Sequence, residues 1–288
     1  MTHEDMLNLV AEHRLNESTL DFLECIKFKQ YDKESLEKFS LIAYVNNNPK
    51  LQKKIHESQY EMGFCKTYAL LPTPYPSVSF LNLTQLNTKR KSVRQFSEIP
   101  LSLQNISEFF NLFYTLTGKD DFNFNGIEIT RSTRNIASGG GLYPTEIYLI
   151  NHRMSEIPLG AYHYNVVDFN LELIKELKTQ EELQSFYALI MKSETSSLDF
   201  ENTSAFVVFS SVFNKQSFKY KDLGIALSLV ELGEFIHAAY LSVAALDLGC
   251  CVFGSFLSNQ MHIFLELKNT LHQPLFCMAI GNKKTEET

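Results

Sequence analysis

The spacing of hydrophobic and polar positions divides the chain into two parts of different character. Over residues 4–59, apolar side chains recur at helical spacing, as at Leu20, Leu23 and Ile26 and again from Leu36. Polar residues that can cap a helix precede both of these runs. The first part of the chain is therefore predicted to be helical.

A proline-rich segment separates this helical part from the remainder. Residues 71–76 include three prolines in six positions. Proline lacks a backbone N–H and fixes φ, so this segment is not the interior of a helix. We expect an extended connector here, with a helical N-terminal domain at residues 1–76 and a second domain at residues 77–288.

Beyond the connector, helical periods alternate with short runs of β-branched and aromatic residues. Helices are predicted at residues 101–116, 181–191 and 222–246, and strands at residues 146–150, 161–164, 171–174, 205–210 and 275–280. The helix that starts at Asp222 is apolar on nearly every side, so we expect it to be buried all round, in a core or a dimer interface. Strands separated by helices predict a layered α+β domain.

Composition narrows the choice of partners and compartment. The chain has 288 residues, 44% of them hydrophobic, which is enough to bury a substantial core. Its net charge of -7 argues against nucleic acid as the main partner. A polar, acidic N-terminus predicts no signal peptide, and Glu231, Glu234 and His237 interrupt the apolar helix, which argues against a membrane span. We expect a cytoplasmic protein.

The five cysteines favour a reducing compartment. Their number is odd, no CxxC motif is present, and the neighbouring Cys250 and Cys251 are poorly placed for a disulfide with each other. We expect small buried hydrophobic side chains. A redox-active pair formed by the two neighbours is the alternative.

A basic segment near the start of the second domain is a candidate phosphate site. Arg90, Ser92 and Arg94 alternate along the chain, so in an extended segment their side chains share one face. Guanidinium groups bind phosphate through paired hydrogen bonds, and a hydroxyl adds a further one. The alternative is a solvated basic turn.

A run of glycines is a second candidate. Ser138 is followed by Gly139, Gly140 and Gly141, which lie just before a predicted strand. Glycines let the backbone approach a ligand closely and expose its N–H groups. The spacing matches neither a P-loop nor a dinucleotide-binding fingerprint, and a flexible turn is the alternative.

Lys219 and Tyr220 are neighbours just before the long helix. An ammonium beside a phenol favours the phenolate, so such a tyrosine can serve as a base. Without further context, adjacent Lys and Tyr residues also occur by chance.

Glu234 and His237 match half of a carboxylate-bridged di-iron helix pair. A second ExxH motif and an HExxH motif are both absent from the sequence. We therefore expect no metal site and interpret the two residues as interface polar groups.

Several of these segments occur together in an order that resembles the SagB-type dehydrogenases of the nitroreductase superfamily. The resemblance extends over residues 88–283, about two thirds of the chain, and leaves out the helical N-terminal region. It implies a nitroreductase-like α+β fold with a central antiparallel or mixed sheet flanked by helices. It also implies that the long helix lies in a homodimer interface and that the cofactor is FMN.

The resemblance assigns flavin contacts to four matching motifs. The residues are Arg90, Ser92, Arg94, Ser138, Gly139, Gly140, Gly254, Ser255 and Lys283. The first three match an R-x-S-x-R motif that holds the FMN phosphate, and the last adds a basic contact. The glycine run matches a loop against the flavin, and the Gly-Ser pair matches a loop that covers part of it. Ala137, Ala226 and the pair His237-Ala238 depart from the family pattern at single positions.

The family chemistry implied is the oxidation of thiazoline or oxazoline rings in a ribosomal peptide to thiazoles or oxazoles. Tyr220 would be the base, assisted by Lys219. Implied partners are a second copy of the chain, the cyclodehydratase subunits of a modification complex and the precursor peptide, with the N-terminal region helping docking. The alternatives are an NAD(P)H-dependent nitro or quinone reductase and a flavin-free scaffold subunit.

Overall fold

The computed structural model describes most of the second domain and parts of the first. The described residues are 17–18, 21–22, 33–57, 63, 65–71, 83–190 and 198–284. Cys25, the connector beyond Leu71 and most of the helical prediction before residue 33 lie outside them. Where the N-terminal region is described at length, it is helical as predicted, with helices α1 (Lys33–Asn47) and α2 (Pro49–Glu57).

The remaining elements include every helix and strand predicted for the second domain. They also include elements that the pattern did not predict, among them a strand at Gly249–Phe253 and helices at Asn214–Tyr220 and Ser258–Phe264. The further helices are α3 (Leu83–Lys89), α4 (Leu103–Phe113), α5 (Gln180–Leu189), α6 (Asn214–Tyr220), α7 (Asp222–Ala245) and α8 (Ser258–Phe264). The strands are β1 (Thr67–Ala69), β2 (Leu116–Phe124), β3 (Ile127–Arg134), β4 (Thr145–Asn151), β5 (Gly160–Asn165), β6 (Asn170–Glu176), β7 (Ala205–Val212), β8 (Gly249–Phe253) and β9 (His272–Gly281). All five predicted strands are present, and the α+β class is confirmed.

One seven-stranded sheet carries the fold. Its order is β1-β6-β5-β4-β7-β9-β8, and every neighbouring pair is antiparallel. Strand β1 at Thr67–Ala69 precedes residue 76 and pairs with β6, so residues before the connector contribute to this sheet. The domain boundary at residue 76 stays a prediction.

Strands β2 and β3 form a separate hairpin that the sequence pattern did not predict. The expected helix at 101–116 ends at Phe113, and Leu116 already belongs to β2. Apolar and polar residues alternate next to the turn of the hairpin, at Phe122, Phe124, Ile127 and Ile129, but the rest of both strands is polar and mostly exposed, so the period-2 pattern of the hairpin is short. Its turn has the Asn-Gly dipeptide, with φ of 51° at Asn125 and 82° at Gly126. That dipeptide is the signal that could have identified it.

The two faces of the large sheet are covered by different helices. On one face, α4 and α7 supply aromatic side chains such as Phe109, Phe110 and Phe235 to the larger core. On the other face, α5 and α8 contribute Phe186 and Met261 to a second core. A sheet covered on both sides has buried strands throughout, which explains why β4 and β7 are buried at every position.

Helix α7 lies in the core along one side only. Leu232, Phe235 and Val243 are buried, whereas Leu229 and Val230 are 43% and 64% exposed. The expectation of burial all round is therefore wrong for the single chain, because composition cannot tell which apolar side finds a neighbour. By length and hydropathy α7 could also span a bilayer, but its contacts with the sheet are those of a core helix.

A sharp corner joins α6 to α7 at Lys221, whose φ of 53° is left-handed. Just beyond it, Gly224 lies against the backbone of α6. A Cβ on Gly224 would lie 2.7 Å from the Gln216 carbonyl carbon and from the Ser217 nitrogen. A glycine is needed here because the two backbones leave no room for a side chain.

Replacing Gly224 by Ala should therefore destabilise the fold by about 1–3 kcal/mol, since the helices must move apart. The matched control is Gly233→Ala on the same helix, where a Cβ meets nothing within 4 Å. That change should leave stability equal or raise it by up to about 1 kcal/mol, because Ala favours helix. Urea unfolding measures both, and equal losses would contradict the steric explanation.

Candidate functional site

The glycine run forms one turn of 3-10 helix between β3 and β4. Gly140 and Gly141 have φ of 70° and 67°, a left-handed conformation in which glycine is unstrained. Ser138 fixes the turn from inside, because its Oγ accepts a hydrogen bond from the Tyr143 backbone N–H at 2.8 Å. The same hydroxyl donates to Glu231 Oε2 of α7 at 2.6 Å.

Glu231 is the buried anchor of this turn. Its side chain also accepts hydrogen bonds from Gln216 Nε2 at 3.3 Å and Thr145 Oγ1 at 3.4 Å. Burial raises the pKa of Glu231 to about 7, although the hydrogen bonds from Ser138 and Thr145 act to lower it. In the sequence this residue was noted as an acid within an apolar helix, and its structural partners became visible only in the fold.

The Lys219-Tyr220 pair lies directly against the glycine turn. Lys219 is only 4% exposed, and its Nζ lies 4.9 Å from the centre of the Tyr220 ring. A Cβ placed on Gly140 would lie 2.7 Å from the Tyr220 hydroxyl oxygen and 3.1 Å from Lys219 Nζ. Two motifs about eighty positions apart in the sequence therefore meet at a place that only glycine allows.

The N-terminal helices close this region from the other side. Val45 of α1 and Ile55 of α2 form a small core with Leu142, and the Tyr220 ring packs against it. His56 of α2 lies next to the turn, since a Cβ on Gly141 would be 3.6 Å from its ring. Residues outside the family resemblance thus line the candidate site.

The predicted phosphate-binding residues lie elsewhere, beside β8 and the second half of α7. Arg90 lies over the Tyr240 ring, with its Cζ 5.5 Å from the ring centre, and Ser92 Oγ is 3.2 Å from the Tyr240 hydroxyl. The exposed Arg94 lies further along the same segment, near enough to Cys251 for its charge to act on that thiol. Lys283 pairs with Asp247, Nζ to Oδ1, at 2.6 Å.

Gly254 and Ser255 follow β8 at its far end. Both are exposed, and a Cβ on Gly254 would lie 3.5 Å from the Phe276 ring. Strand β8 begins at Gly249, which pairs with Gly281 of β9, and Lys283 follows Gly281 by two positions. The five residues of β8 span roughly 17 Å. The Val252 N–H donates to the Tyr240 hydroxyl at 3.1 Å, so Arg90 and Ser92 lie beside the middle of β8, whereas Lys283 lies at its start and the Gly-Ser pair just beyond its end.

Within one chain the candidate residues thus form two groups. Leu227, near the start of α7, would contact a Cβ on Gly139, whereas Tyr240 contacts Arg90 and Ser92. Thirteen positions of helix separate Leu227 from Tyr240, which corresponds to about 20 Å. The glycine turn with Lys219 and Tyr220 is therefore distant from the cationic segment of the same chain.

A network of hydrogen bonds and ion pairs between polar side chains supports the C-terminal end of the glycine turn. Lys215 Nζ donates to the Tyr143 carbonyl at 3.2 Å and to Glu146 Oε1 at 2.6 Å. His163 lies between Glu146 and Glu172, at 3.0 and 2.7 Å. Burial acts to raise the pKa of Glu146, but the Lys215 charge and the hydrogen bond with His163 bring it down to about 2. The sequence pattern did not reveal this network, because its members come from β4, β5, β6 and α6.

The described cysteines are interpreted as structural and not as redox-active. Cys65, Cys250, Cys251 and Cys277 are free, and Cys25 lies outside the described residues. Burial raises the pKa of Cys250 to about 12, and the pKa of Cys251 is raised as well. Thiols that resist ionisation are poor nucleophiles, which favours the structural interpretation over a redox pair.

The raised pKa of Glu231 predicts a specific pH dependence of stability. The folded protein holds a proton at Glu231 between about pH 4.5 and 7 that the unfolded chain has lost, so stability falls as pH rises through that window. Glu231→Gln cannot ionise, so the stability of this variant relative to the parent should increase by about 2 kcal/mol between about pH 5 and 8. Urea unfolding at both pH values measures this. Glu98→Gln, an exposed control, should follow the parent.

Comparison with known proteins agrees with this architecture. The Nitroreductase family profile matches residues 88–282. A protein of Methanocaldococcus jannaschii, named as a nitroreductase, is 24% identical over 214 residues, which cover 72% of this chain and 94% of the relative.

Two solved structures share the fold. A crystal structure from Ralstonia eutropha JMP134, described as a nitroreductase, aligns with a TM-score of 0.58 and 22% identity over 76% of this chain and 90% of that one. A chain of the Escherichia coli microcin synthetase McbBCD complex, solved with truncated pro-MccB17 bound, aligns with a TM-score of 0.54 and 18% identity over 95% and 100%. Since the family profile covers more than half of the residues, the chain belongs to the Nitroreductase family.

Proposed function

We propose that this protein is an FMN-dependent dehydrogenase that oxidises thiazoline or oxazoline rings of a ribosomal peptide to thiazoles or oxazoles. The observation that carries the proposal is the contact between Gly140 and the Lys219-Tyr220 pair. A phenol and a buried ammonium lie side by side against a backbone turn that no side chain covers. A reductase that only relays electrons from NAD(P)H has no need of this arrangement.

The residues along β8 suit the cofactor. Among the described residues, neither Arg90 nor Arg94 forms an ion pair with a carboxylate, so both guanidinium groups remain available to a phosphate. Lys283 lies at the start of β8, Arg90 and Ser92 lie beside its middle, and Gly254 with Ser255 offers exposed backbone just beyond its end, so all of these groups follow one edge strand. An extended ligand with an anionic tail and a flat head matches this layout, and FMN is such a ligand.

The protein residues supply a base and its position. FMN, when bound, accepts two electrons and a proton from the ring that is oxidised. The Tyr220 phenolate oxygen takes the second proton from the neighbouring ring carbon. The buried Lys219 ammonium lies beside the Tyr220 ring, which packs against α1, α2 and Leu142, and its charge is the proposed electrostatic partner in this proton transfer. Gly140 leaves the Tyr220 hydroxyl accessible from the turn.

A homodimer would bring the two groups of residues together. In one chain about 20 Å of helix separates the glycine turn from the cationic segment. Helix α7 exposes Leu229 and Val230 along the side that does not face its own sheet. A second copy seated on this apolar side buries it and places one chain's turn beside the other chain's cations.

The microcin synthetase likeness supports a peptide substrate and a multi-subunit setting. That alignment covers nearly the whole chain, including the N-terminal region that the family profile leaves out. We therefore propose cyclodehydratase subunits and a precursor peptide as partners, within the cytoplasm. The N-terminal helices then form one wall of the site, in addition to the docking role expected for them.

Lys219→Ala and Tyr220→Phe should each lower the rate of azoline oxidation by about 10²-fold or more, because the base or its stabilising charge is lost. FMN content should stay near the parental value, since neither residue belongs to the cationic segment. Mass spectrometry of an azoline peptide should show substrate that remains 2 Da heavier per unoxidised ring (one H₂ each). Tyr44→Phe removes an exposed phenol and serves as the control.

Oxidation by both variants at the parental rate would contradict the role given to the pair. A colourless protein that takes up no FMN would favour the scaffold alternative. Rapid FMN-dependent oxidation of NADH with menadione, and no azoline oxidation, would favour the reductase suggested by the name of the archaeal relative.

Val230→Glu should convert the dimer to monomer, because a charge at the centre of an apolar interface is not compensated. Light scattering after size-exclusion chromatography measures the mass, and FMN occupancy should fall with it. Ile263→Glu introduces the same charge at a 73% exposed position on α8 and should leave the mass unchanged. A parental monomer, or a Val230→Glu dimer, would rule out the α7 interface.

A further inference from the structure

A cationic cavity lies on the far side of the glycine turn from Lys219 and Tyr220. It has a volume of about 400 Å³ and is enclosed by α2, the β2–β3 hairpin and the segment from Gly141 to Tyr143. His56 of α2 lines the cavity and is also the neighbour of Gly141. The cavity and the proposed base therefore share one wall, a turn made of glycines.

Positive charge dominates the lining. Lys119, Arg131 and Arg134 contribute from the hairpin, and within the described part of the chain Glu57 is the one acidic residue of the lining. Arg131 is also paired with Asp120 of β2, Nη2 to Oδ2, at 3.0 Å, so a ligand carboxylate there competes with an existing ion pair. The pKa of His56 is lowered by its burial, and also by the charges of Arg131 and Lys219. In a chain with a net charge of -7, such a local excess of cations indicates an anionic ligand.

Arg134 adds an unused donor. Its guanidinium lies over the Tyr143 ring, with Cζ 4.0 Å from the ring centre, and one Nη hydrogen-bonds the Tyr114 hydroxyl. Its Nε–H is buried and has no partner in the described part of the chain. A buried donor without an acceptor is unfavourable, and a ligand carboxylate or carbonyl would satisfy it once a shift of the Arg134 side chain opens this N–H to the cavity.

The shape of the wall indicates an extended ligand. Five consecutive residues, 130–134, line the cavity. Side chains alternate between the faces of a strand, so consecutive residues share one cavity only if it runs along the strand edge. The Thr130 N–H points out from that edge to Glu57 Oε1 at 3.4 Å. The Ser132 N–H, two positions on, has the same direction, and within the described residues it forms no hydrogen bond.

We propose that this cavity binds an extended, acidic segment of the peptide substrate, added as a strand to the free edge of β3. Backbone groups of the segment bond Ser132, and its carboxylates meet Lys119, Arg131 and Arg134. This proposal rests on the proposed function, because it takes the bound peptide to be the substrate of that reaction. It adds the prediction that substrates carry acidic residues close to the ring that is oxidised.

The glycine turn lies between the cavity and the base. Gly141 faces the cavity and its next neighbour, Gly140, faces Tyr220. A chain held along β3 is therefore separated from the base by the glycine turn. The cavity determines which peptide is held and the Lys-Tyr pair acts on its ring.

Binding can be measured directly, by fluorescence anisotropy with the full-length protein. The probe is a fluorescein-labelled hexapeptide with glutamate at alternate positions. It should bind at low salt and weaken as salt is raised. The same peptide with glutamine in place of glutamate should bind at least about tenfold more weakly. An acidic peptide with alternate amides N-methylated should also weaken, because it cannot pair with a strand edge.

Removing positively charged side chains from the cavity tests whether the peptide binds there. The double variant Lys119→Gln with Arg131→Gln should weaken the acidic probe by at least about fivefold. The control, Lys178→Gln with Lys268→Gln, removes two exposed lysines elsewhere and should stay within about twofold of the parent. Equal binding of acidic and neutral probes, or equal loss in both double variants, would overturn the proposal. The proposal would also be overturned if NADPH or pyrophosphate displaced the probe and N-methylation did not weaken its binding. That result would identify a site for small anions.

Failure of this proposal can be told apart from failure of the proposed function. Anisotropy is read with and without FMN, so it does not depend on catalysis. If azolines are oxidised but acidic and neutral peptides share one KM, the cavity proposal fails and the enzyme assignment stands. If FMN is never taken up, the enzyme assignment fails, and the anisotropy result still decides whether the cavity binds acidic peptide.

Discussion

The hydrogen bond between Ser138 and Glu231 is the interaction on which the candidate site depends. It ties a turn with two left-handed glycines to the middle of the long core helix, at 2.6 Å. Such a turn loses more conformational entropy on ordering than any other backbone segment, so it needs an external anchor. A carboxylate buried in the core supplies one, and its raised pKa reflects what that burial costs.

The other end of the turn is held by charge. Lys215 reaches both the Tyr143 carbonyl and Glu146, and Glu146 continues through His163 to Glu172. A buried chain of this kind is stable only when every member is paired, because a lone buried charge is strongly unfavourable. The two anchors together fix the turn from α7 and from the sheet. A rigidly held turn suits the role proposed for Tyr220, which depends on the position of its phenol.

The N-terminal helices add features to the candidate site that the large sheet and α7 do not provide. They pack against the Tyr220 ring, place His56 at the turn and form one side of the cationic cavity. One fold can serve many functions, so substrate selectivity is set by the residues around a site and not by the fold. In this protein the surroundings are α2 and an exposed hairpin, both outside the large sheet.

The sequence by itself determined the α+β class, the five predicted strands and the extent of α7, because burial on a periodic element leaves a periodic pattern. It also singled out the glycine run and the Lys-Tyr pair as candidates. Only the tertiary structure decided that these two motifs touch, since nothing local relates residues 140 and 220. The hairpin was missed because its apolar alternation is confined to the residues next to the turn. The exposed side of α7 was missed because hydropathy does not reveal which neighbour is present. Contact between distant residues is a property of packing, which the order of side chains alone does not contain.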